Sequence, residues 1–299
     1  AAQIVEDKRH FALNSDQMFM LEKWLARLPD SVIQERPGLL LARAWVFHHQ
    51  LRFAEILPVI DRIEGLLKKG AKQASLLGEV AFFRGYFNFF MNEGALSIEN
   101  LKTALEQVPN SHQEVRAQSE IFFGLASQMQ GKKDKAIIML EDLLNSQPPP
   151  GDLRKTRLLA TCIYIHIISG DLLKAVPYGR RFIEAVKGKK FAYAQAWSAY
   201  LPGLLHFYRN EPEEAIPHLE RSVEERFVHH DRAAVDSFIG LTLAYEAMGR
   251  EEDAEKMQVL LREYAASRRD PAYIALAGAC QVRLAIFRGQ VQPAIDWLA

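Results

Sequence analysis

The nine histidines are the residues of this sequence best suited to bind a metal or move a proton at neutral pH. The adjacent pairs at positions 48–49 and 229–230 would project from different sides of a helix. A zinc site on a helix needs histidines one turn apart and a further ligand, and neither pair has that spacing. His206 and His218 flank a predicted turn, where we expect them to pack or to face solvent. The sequence therefore predicts no metal site.

Carboxylates cluster at three places, and none of these clusters has the features of an acid–base catalyst. They lie at 213–214, 224–225 and 251–253, in predicted first turns or on exposed faces, without a buried partner that would raise a carboxyl pKa. The chain has no G-x-S-x-G nucleophile motif. The string GLLKKGAK at 65–72 lacks the Lys-Ser/Thr ending of a phosphate-binding loop and follows a helix. We predict a chain that is not an enzyme and carries no cofactor of its own.

Charge and composition exclude other classes of function. Lys plus Arg and Asp plus Glu both number 37, so no net charge attracts the chain to nucleic acid or anionic lipid. No apolar run approaches the roughly 18 residues of a membrane span, and no export signal opens the chain. Cys162 and Cys280, more than a hundred residues apart in apolar stretches, are typical of buried thiols in a reducing compartment. We predict a cytoplasmic protein that binds neither nucleic acid nor membrane directly.

The elements that must position any functional side chain are helices. Strand signals are scarce, whereas apolar residues recur at helical spacing, as in Ile121, Leu125 and Met129. A six-residue turn motif repeats at intervals of 39 or 40 residues: GKKDKA from 131, GDLLKA from 170, NEPEEA from 210, GREEDA from 249 and GQVQPA from 289. Each copy ends in alanine: Ala136, Ala175, Ala215, Ala254 and Ala294. Such a period is the signature of a repeat protein.

Each part of this motif has a role in a helix–turn–helix hairpin. The Gly or Asn ends one helix in the left-handed conformation. Acidic residues after it suit the positive N-terminus of the next helix, and the small alanine lets two helices approach closely. A single hairpin cannot bury its apolar faces, so hairpins must stack. We predict an all-α superhelical solenoid of about eight hairpins with a period near 40 residues. It forms one domain over 1–299, with an N-terminal cap region at 1–50 and repeats at 51–299.

The repeat is less regular before position 131. Ala54 lies close to two periods before Ala136. The turn NEGALS at 92–97, between them, is predicted to be a few residues out of register with the repeat. The segment NSQPPPGD at 145–152 is predicted to be a long loop between hairpins, because the repeat phase continues across it. Helices are predicted near 1–12, 15–28, 37–49, 53–69, 72–92, 97–108, 111–130, 132–145, 153–169, 172–186, 189–209, 212–226, 230–248, 250–266, 271–288 and from 290 onward.

The turn and its alanine resemble the tetratricopeptide (TPR) class of helical repeats. In that class the first helix of each hairpin lines a groove with side chains thirteen, ten, six, three and two residues before the turn residue. The resemblance implies these ligand-binding candidates: Trp197, Tyr200, Phe207, Tyr208, Arg157, Tyr164, Gln118, Gln128, Asp236, Glu246 and Arg283. Aromatic side chains flanked by charged and amide groups suit a sugar, or a peptide with apolar anchors. The alternative is that these aromatic residues only pack a closed superhelix.

The first 60 residues carry a narrower resemblance. The stretch LEKWLARLPDSVIQERPGLLLARAWVFHHQLRFAEILPVI, at 21–60, resembles the start of the effector-sensing domain of MalT-like bacterial transcription activators of the LuxR type. The matching residues are Trp24, Leu25, Leu28, Pro29, Arg36, Pro37, Leu39, Trp45 and Ala54. A helix cannot run through either proline, and Pro37 suits a first helical position. This stretch is therefore predicted to be helix, break, helix.

The MalT-like resemblance implies a function. The chain would be the effector-sensing and protein-interaction arm of such a regulator and a fragment of a longer protein. It would bind a small-molecule effector or a protein partner and relay binding to an intramolecular ATPase module, which would use ATP, and to a DNA-binding domain. The alternative is a freestanding TPR-like adaptor that binds a protein or peptide segment. A helical enzyme of the toroid kind is a third hypothesis, which would require facing buried carboxylates.

Overall fold

The described part of the chain consists of helices joined by short turns. A computed structural model describes residues 1–15, 17–50, 52–68, 74–146, 154–188, 192–228 and 231–298. The helices are α1 Ala2–Asn14, α2 Met18–Ala26, α3 Asp30–Gln34, α4 Pro37–His49, α5 Ile56–Leu67, α6 Ala74–Phe90, α7 Gly94–Gln107, α8 Gln113–Met129, α9 Lys133–Asn145, α10 Arg154–Ile168, α11 Leu172–Val186, α12 Ala192–Tyr208, α13 Pro212–Glu224, α14 Asp231–Ala247, α15 Glu251–Arg268, α16 Pro271–Phe287 and α17 Gln292–Leu298. These ranges contain no strand. Among the described helices, none combines the length and the apolar character that crossing a membrane requires.

The predicted all-α helical-repeat fold is confirmed. From α4 onward the helices pair as hairpins, with α4, α6, α8, α10, α12, α14 and α16 as first helices and the helix after each as its partner. The helices group into two compact units, Ala1–Thr161 and Cys162–Ala299, called here the first and second unit. The predicted loop at 145–152 and the histidine pair at 229–230 lie wholly or mainly outside the described residues.

The turn residues adopt the conformation that the repeat predicts. Gly131, Gly170, Gly249 and Gly289 have φ between +71° and +73°, and Asn210 has φ of 59°. At every one of these turns the N–H of the following residue donates to the carbonyl five residues earlier, as from Glu211 to His206 at 3.0 Å. This bond satisfies a carbonyl that the ending helix leaves without a partner. Each hairpin therefore closes through its own backbone.

The turn at 92 belongs to the same series, which corrects the predicted register slip. Asn92 has φ of 63° and lies 39 residues before Gly131. Ser97 then takes the place of the alanine and is fully buried, with its hydroxyl donating to the Gly85 carbonyl at 2.8 Å. A Cβ on Gly85 would lie 2.6 Å from the Leu101 side chain and 3.1 Å from the Ser97 carbonyl oxygen, so the close approach of the two helices requires glycine here. Serine replaces alanine at this turn because its side chain is also small enough for the close helix contact.

Most of the alanine series is buried between paired helices, as predicted. Ala136, Ala175, Ala215 and Ala254 have at most 1% of their surface exposed. The two ends of the series differ. Ala294 is half-buried and Ala54 is exposed, because Ala54 lies in a single 3-10 turn at Phe53–Glu55 instead of a helix–helix contact.

The proline-rich segment near the N-terminus forms the predicted break. Pro29 precedes the short helix α3, and Pro37 is the first residue of α4, where its missing N–H costs no hydrogen bond. Leu39, Leu40 and Leu41 are fully buried, so α4 is the centre of the core of the first unit. Cys162 and Cys280 are buried free thiols, as the sequence predicts.

Gly249 and Gly65 offer a matched test of the turn. Gly249→Ala should lower the free energy of unfolding by roughly 1–2 kcal/mol, because a Cβ disfavours the left-handed conformation. Gly65→Ala, in the exposed interior of α5, should raise it by about 0.5–1 kcal/mol, because alanine favours helix. A Cβ at either site has no neighbour within 4 Å, so packing does not differ. Urea unfolding followed by circular dichroism measures both, and a destabilising change at both sites would contradict the assignment.

Candidate functional site

Four of the predicted groove residues of the second unit lie together across its first helices. Tyr164 is on α10, Trp197 and Tyr200 are on α12, and Asp236 is on α14. The ring of Trp197 meets Tyr164 at 6.0 Å and Tyr200 at 5.5 Å between centroids, both edge to face. Edge-to-face contacts of this kind fix the orientation of the rings, which apolar burial alone would not do.

A chain of hydrogen bonds connects these helices. The Tyr200 hydroxyl donates to Asp236 Oδ2 at 3.1 Å, so it accepts a hydrogen bond from the Tyr164 hydroxyl, 2.5 Å away. Arg232 Nε donates to the other oxygen, Asp236 Oδ1, at 2.8 Å. Burial, together with Tyr164 and Asp236, raises the pKa of Tyr200 well above its ordinary value, so this tyrosine is a neutral donor. The sequence did not single out Arg232, although it lies one helical turn before Asp236 and so faces the same side.

These residues differ in how much surface they offer to a ligand. Tyr200 is fully buried and holds its neighbours in place. Tyr164 and Trp197 are half-buried, and Tyr208 is 53% exposed. The carboxyl of Asp236 is 20% exposed and the guanidinium side chain of Arg232 is 55% exposed. We call Tyr164, Trp197, Tyr200, Tyr208, Arg232 and Asp236 the aromatic wall.

Two further predicted residues flank the aromatic wall. The ring of Phe207, half-buried, packs edge to face against Tyr208 at 5.5 Å. Arg283, on α16, is exposed and close enough to Tyr208 to act on its hydroxyl. Burial and the charge of Asp236 raise the pKa of Tyr208, and the charges of Arg232 and Arg283 oppose them. The aromatic wall and the flanking Arg283 therefore place one carboxylate and two guanidinium charges near the partly exposed phenol of Tyr208.

The other predicted residue of the second unit has a structural contact. Glu246 on α14 forms a bidentate ion pair with Arg288 at the end of α16, with distances of 2.7 and 2.9 Å. Its side chain is 10% exposed. The hydrogen bonds from Arg288 lower the pKa of Glu246, against the opposing effect of burial. Glu246 therefore joins adjacent first helices and lies apart from the hydrogen bonds of the aromatic wall.

Two of the three predicted groove residues of the first unit, Gln118 and Arg157, lie in a second polar network. Gln118 donates to Glu114 at 3.0 Å, and Glu114 is ion-paired with Arg157. Gln128 is half-buried near the end of α8. Glu120 and Arg154 form a parallel bidentate pair at 2.5 and 2.8 Å. Arg157 therefore connects α10 to α8, and Gln118 holds its partner Glu114 from within α8.

A buried polar cluster in the first unit was not found by sequence reasoning. Glu79 on α6 is fully buried and accepts two hydrogen bonds from Arg9 on α1, at 2.6 and 2.7 Å. Trp45 on α4 donates to Glu79 Oε2 at 3.2 Å. Burial alone would raise the pKa of Glu79. Arg9 and His10 stabilise the charged carboxylate more strongly and hold its pKa well below the usual range. We call Arg9, His10, Trp45, Glu79 and His112 the Glu79 cluster.

Two histidines complete the Glu79 cluster. The rings of His10 and His112 stack with centroids 3.3 Å apart and planes 15° from parallel. His10 Nε2 lies 3.1 Å from Glu79 Oε1, and His112 Nδ1 lies 3.9 Å from the same oxygen. Burial and the neighbouring His10 lower the pKa of His112 to about 4, against the attraction of Glu79. Among the described residues, this set of two imidazoles and one carboxylate is the one with the spacing of metal ligands.

The register explains why the sequence did not reveal Glu79. Glu79 lies thirteen residues before Asn92, at the position that Trp197 and Asp236 occupy before their own turns. Counting back from Asn92 as from the other turn residues places Glu79 among the groove candidates. Its partners His10 and His112 are brought together by α1, whose last residue, Asn14, bonds to the Ser111 carbonyl and the Glu114 N–H at 2.8 and 3.0 Å.

The Glu79 cluster makes the stability of the first unit dependent on pH. Between about 6.5, the ordinary histidine pKa, and about 4, the unfolded chain binds a proton at His112 that the folded chain does not. The free energy of unfolding should therefore fall as pH falls through this window. Below about pH 4.3, the ordinary pKa of glutamate, the unfolded chain also binds a proton at Glu79 that the folded chain does not. This lowers the free energy of unfolding further.

Urea unfolding at pH 7, 6, 5 and 4 tests this dependence. His112→Phe keeps a ring and removes the titrating group, so the slope of stability against pH should decrease by up to one proton in this window. His49→Phe, at an exposed position of α4, is the control and should leave the slope unchanged. Equal slopes for the wild type and His112→Phe would contradict the assignment.

Comparisons with known proteins agree on the fold. No family model and no curated protein matches the sequence. The apo form of RapI is similar in structure, with a TM-score of 0.65 and 15% identity over 99% of this chain and 85% of that one. A Rap protein complexed with Competence and Sporulation Factor has a TM-score of 0.59 and 13% identity over 93% and 80% of the two chains. Aspartyl phosphate phosphatase F from Bacillus subtilis has a TM-score of 0.59 and 14% identity over 100% and 83%. This likeness shows a TPR-like helical-repeat fold, and it lends no support to the MalT-like resemblance.

Proposed function

We propose that this chain is a binding module without enzymatic activity that holds an extended protein or peptide segment against the aromatic wall. One observation carries the proposal. Tyr164, Trp197 and Asp236 lie on three successive first helices of the second unit and are held in one network of ring contacts and hydrogen bonds. A ligand would meet side chains whose positions are already fixed, so little side-chain entropy is lost on binding.

The chemistry of the aromatic wall suits a peptide. The partly exposed rings of Tyr164, Trp197 and Tyr208 offer apolar faces for side chains, and each also carries a polar group. Arg232 and Asp236 are exposed enough to bind main-chain amides or charged ends. Aromatic and Arg residues are the types that contribute most of the energy in protein interfaces.

The spacing of the helices gives the length of the segment. Packed helices lie about 8–10 Å apart, so α10, α12, α14 and α16 would span three intervals, or roughly 27 Å. An extended chain advances about 3.3 Å per residue. The aromatic wall and the neighbouring Arg283 would therefore accommodate a segment of about eight residues.

One of the similar structures supports the use of this fold for ligand binding. It is the Rap protein that was solved in complex with Competence and Sporulation Factor. At 13% identity this supports a binding role for the chain by analogy of fold alone.

The sensor arm of a MalT-like regulator is the second candidate function, and the matching residues near the N-terminus favour it. Two of these residues have structural roles: Trp45 is buried against Glu79 and Phe82, and Pro37 begins α4. This function requires a phosphate-binding loop and a helix-turn-helix elsewhere in the same gene. Sequencing the coding region on both sides of residues 1–299 tests it, and a gene without either module would exclude it.

Selection from a displayed random library of peptides about eight residues long tests the peptide-binding proposal. Peptides enriched on the immobilised chain are then measured by fluorescence anisotropy. Tyr208→Ala should weaken their binding about tenfold, since an exposed aromatic contact of this kind is worth about 1–2 kcal/mol. Its melting temperature should change little, because Tyr208 is more than half exposed.

Leu173→Ala is the matched control for this experiment. Leu173 is 76% exposed on α11, a second helix, and its truncation should leave peptide affinity unchanged. Asp236→Asn should weaken binding of peptides with a basic residue more than binding of neutral ones, because the carboxylate charge is lost. If no peptide is enriched, or if Tyr208→Ala and Leu173→Ala bind equally well, the proposal fails.

A further inference from the structure

We propose that His10, Glu79 and His112 form a binding site for a divalent transition-metal ion, Zn²⁺ above all. One imidazole nitrogen of each histidine and an oxygen of Glu79 lie within 4.8 Å of one another. The three residues come from α1, from α6 and from the position just before α8. The site lies entirely in the first unit and goes beyond peptide binding by the aromatic wall.

The distances are close to those of a metal site. Zn²⁺ binds His nitrogen and carboxylate oxygen at about 2.0–2.2 Å, so neighbouring ligand atoms of a tetrahedral site lie about 3.3 Å apart. Here His10 Nε2 and His112 Nδ1 lie 3.1 and 3.9 Å from Glu79 Oε1. Both nitrogens thus lie within about 0.6 Å of that separation from Glu79 Oε1. The two stacked rings must also tilt so that their lone pairs converge on one ion. A fourth position is left for water or another ligand, as in zinc sites with three protein ligands.

The imidazole nitrogens are available for coordination. Both ring nitrogens of His10 and Nδ1 of His112 are buried and make no hydrogen bond of acceptable geometry. Buried polar atoms nearly always have a partner, so three such atoms at one place call for an explanation. Each neutral imidazole offers the lone pair of one ring nitrogen to a metal ion. Neutral imidazole is the form that binds metals.

The two imidazoles and one carboxylate favour Zn²⁺ and other late transition metals, and the surroundings of Glu79 limit the affinity. Arg9 and Trp45 hold the carboxylate by hydrogen bonds, in the way that outer contacts orient metal ligands. Two imidazoles suit Zn²⁺ and other late transition metals and do not suit Mg²⁺ or Ca²⁺. The positive charge of Arg9 repels a cation, so binding should be weaker than in a zinc site without a neighbouring guanidinium.

A bound ion would fix α1 to the repeat helices. His10 belongs to α1, whereas Glu79 and His112 belong to α6 and to the start of α8. Metal bound only in the folded state raises the stability of the first unit by mass action. Binding should therefore raise the melting temperature, and a chelator should reverse the change.

Titration with ZnCl₂ followed by calorimetry, and with CoCl₂ followed by visible absorption, tests this site in the intact chain. The wild type should bind one ion per chain and show the absorption of tetrahedral Co²⁺. His10→Ala and His112→Ala should each weaken binding by at least about tenfold. Circular dichroism checks that both variants remain folded.

His218→Ala is the matched control. His206 and His218 also stack, at 5.9 Å, and Glu211 lies 2.7 Å from His206, but this set is not among the groups of metal-ligand spacing. The control variant should bind Zn²⁺ as the wild type does. Absence of one-to-one binding by the wild type, or equal binding by His10→Ala, His112→Ala and the control, would overturn the proposal. Peptide binding by the aromatic wall would stand in either case, since its test uses other residues.

Discussion

The left-handed residue at each hairpin turn from Asn92 onward is the constraint on which the other arrangements in this chain depend. It ends one helix, and the small residue five positions later fixes how closely the next helix packs. Because both act locally, each hairpin has nearly the same geometry and every position in the first helix can be numbered back from its turn. The position thirteen residues before the turn thereby faces the neighbouring first helix in both units. Glu79 bonds to Trp45 of α4, and Asp236 bonds to Tyr200 of α12.

The two units use that position for different chemistry. In the first unit Glu79 is fully buried and its charge is neutralised by Arg9 from α1. In the second unit Trp197 and Asp236 keep part of their surface, and their partners leave a phenol and guanidinium groups accessible. A buried ion pair adds little to stability unless both partners are well hydrogen-bonded, but losing one partner is costly. The Glu79 cluster therefore ties α1 in place, whereas the aromatic wall can exchange solvent for a ligand.

The fold was predictable because its signals are local. The turn glycines, the buried alanines and Pro37 act within one hairpin, and their roles follow from spacing along the chain. The aromatic wall was predictable in part: its aromatic residues follow from the register, but the burial of Tyr200 depends on packing between helices. The Glu79 cluster was not predictable, because His10 and His112 are separated by about a hundred residues and no repeat relates them. Ser97 shows a further limit, since a sequence pattern that demands one residue type misses an equivalent one.

The hydrogen bond that closes each turn uses only backbone atoms of that turn. Recombination between two turn motifs of one gene would therefore add or remove a whole hairpin and leave both new junctions intact. Duplication of the segment from Asn210 to Met248 would lengthen the aromatic wall by one helix, and its loss would shorten it. Descendants of such a gene would differ in the length of ligand they recognise before they differ in any single contact.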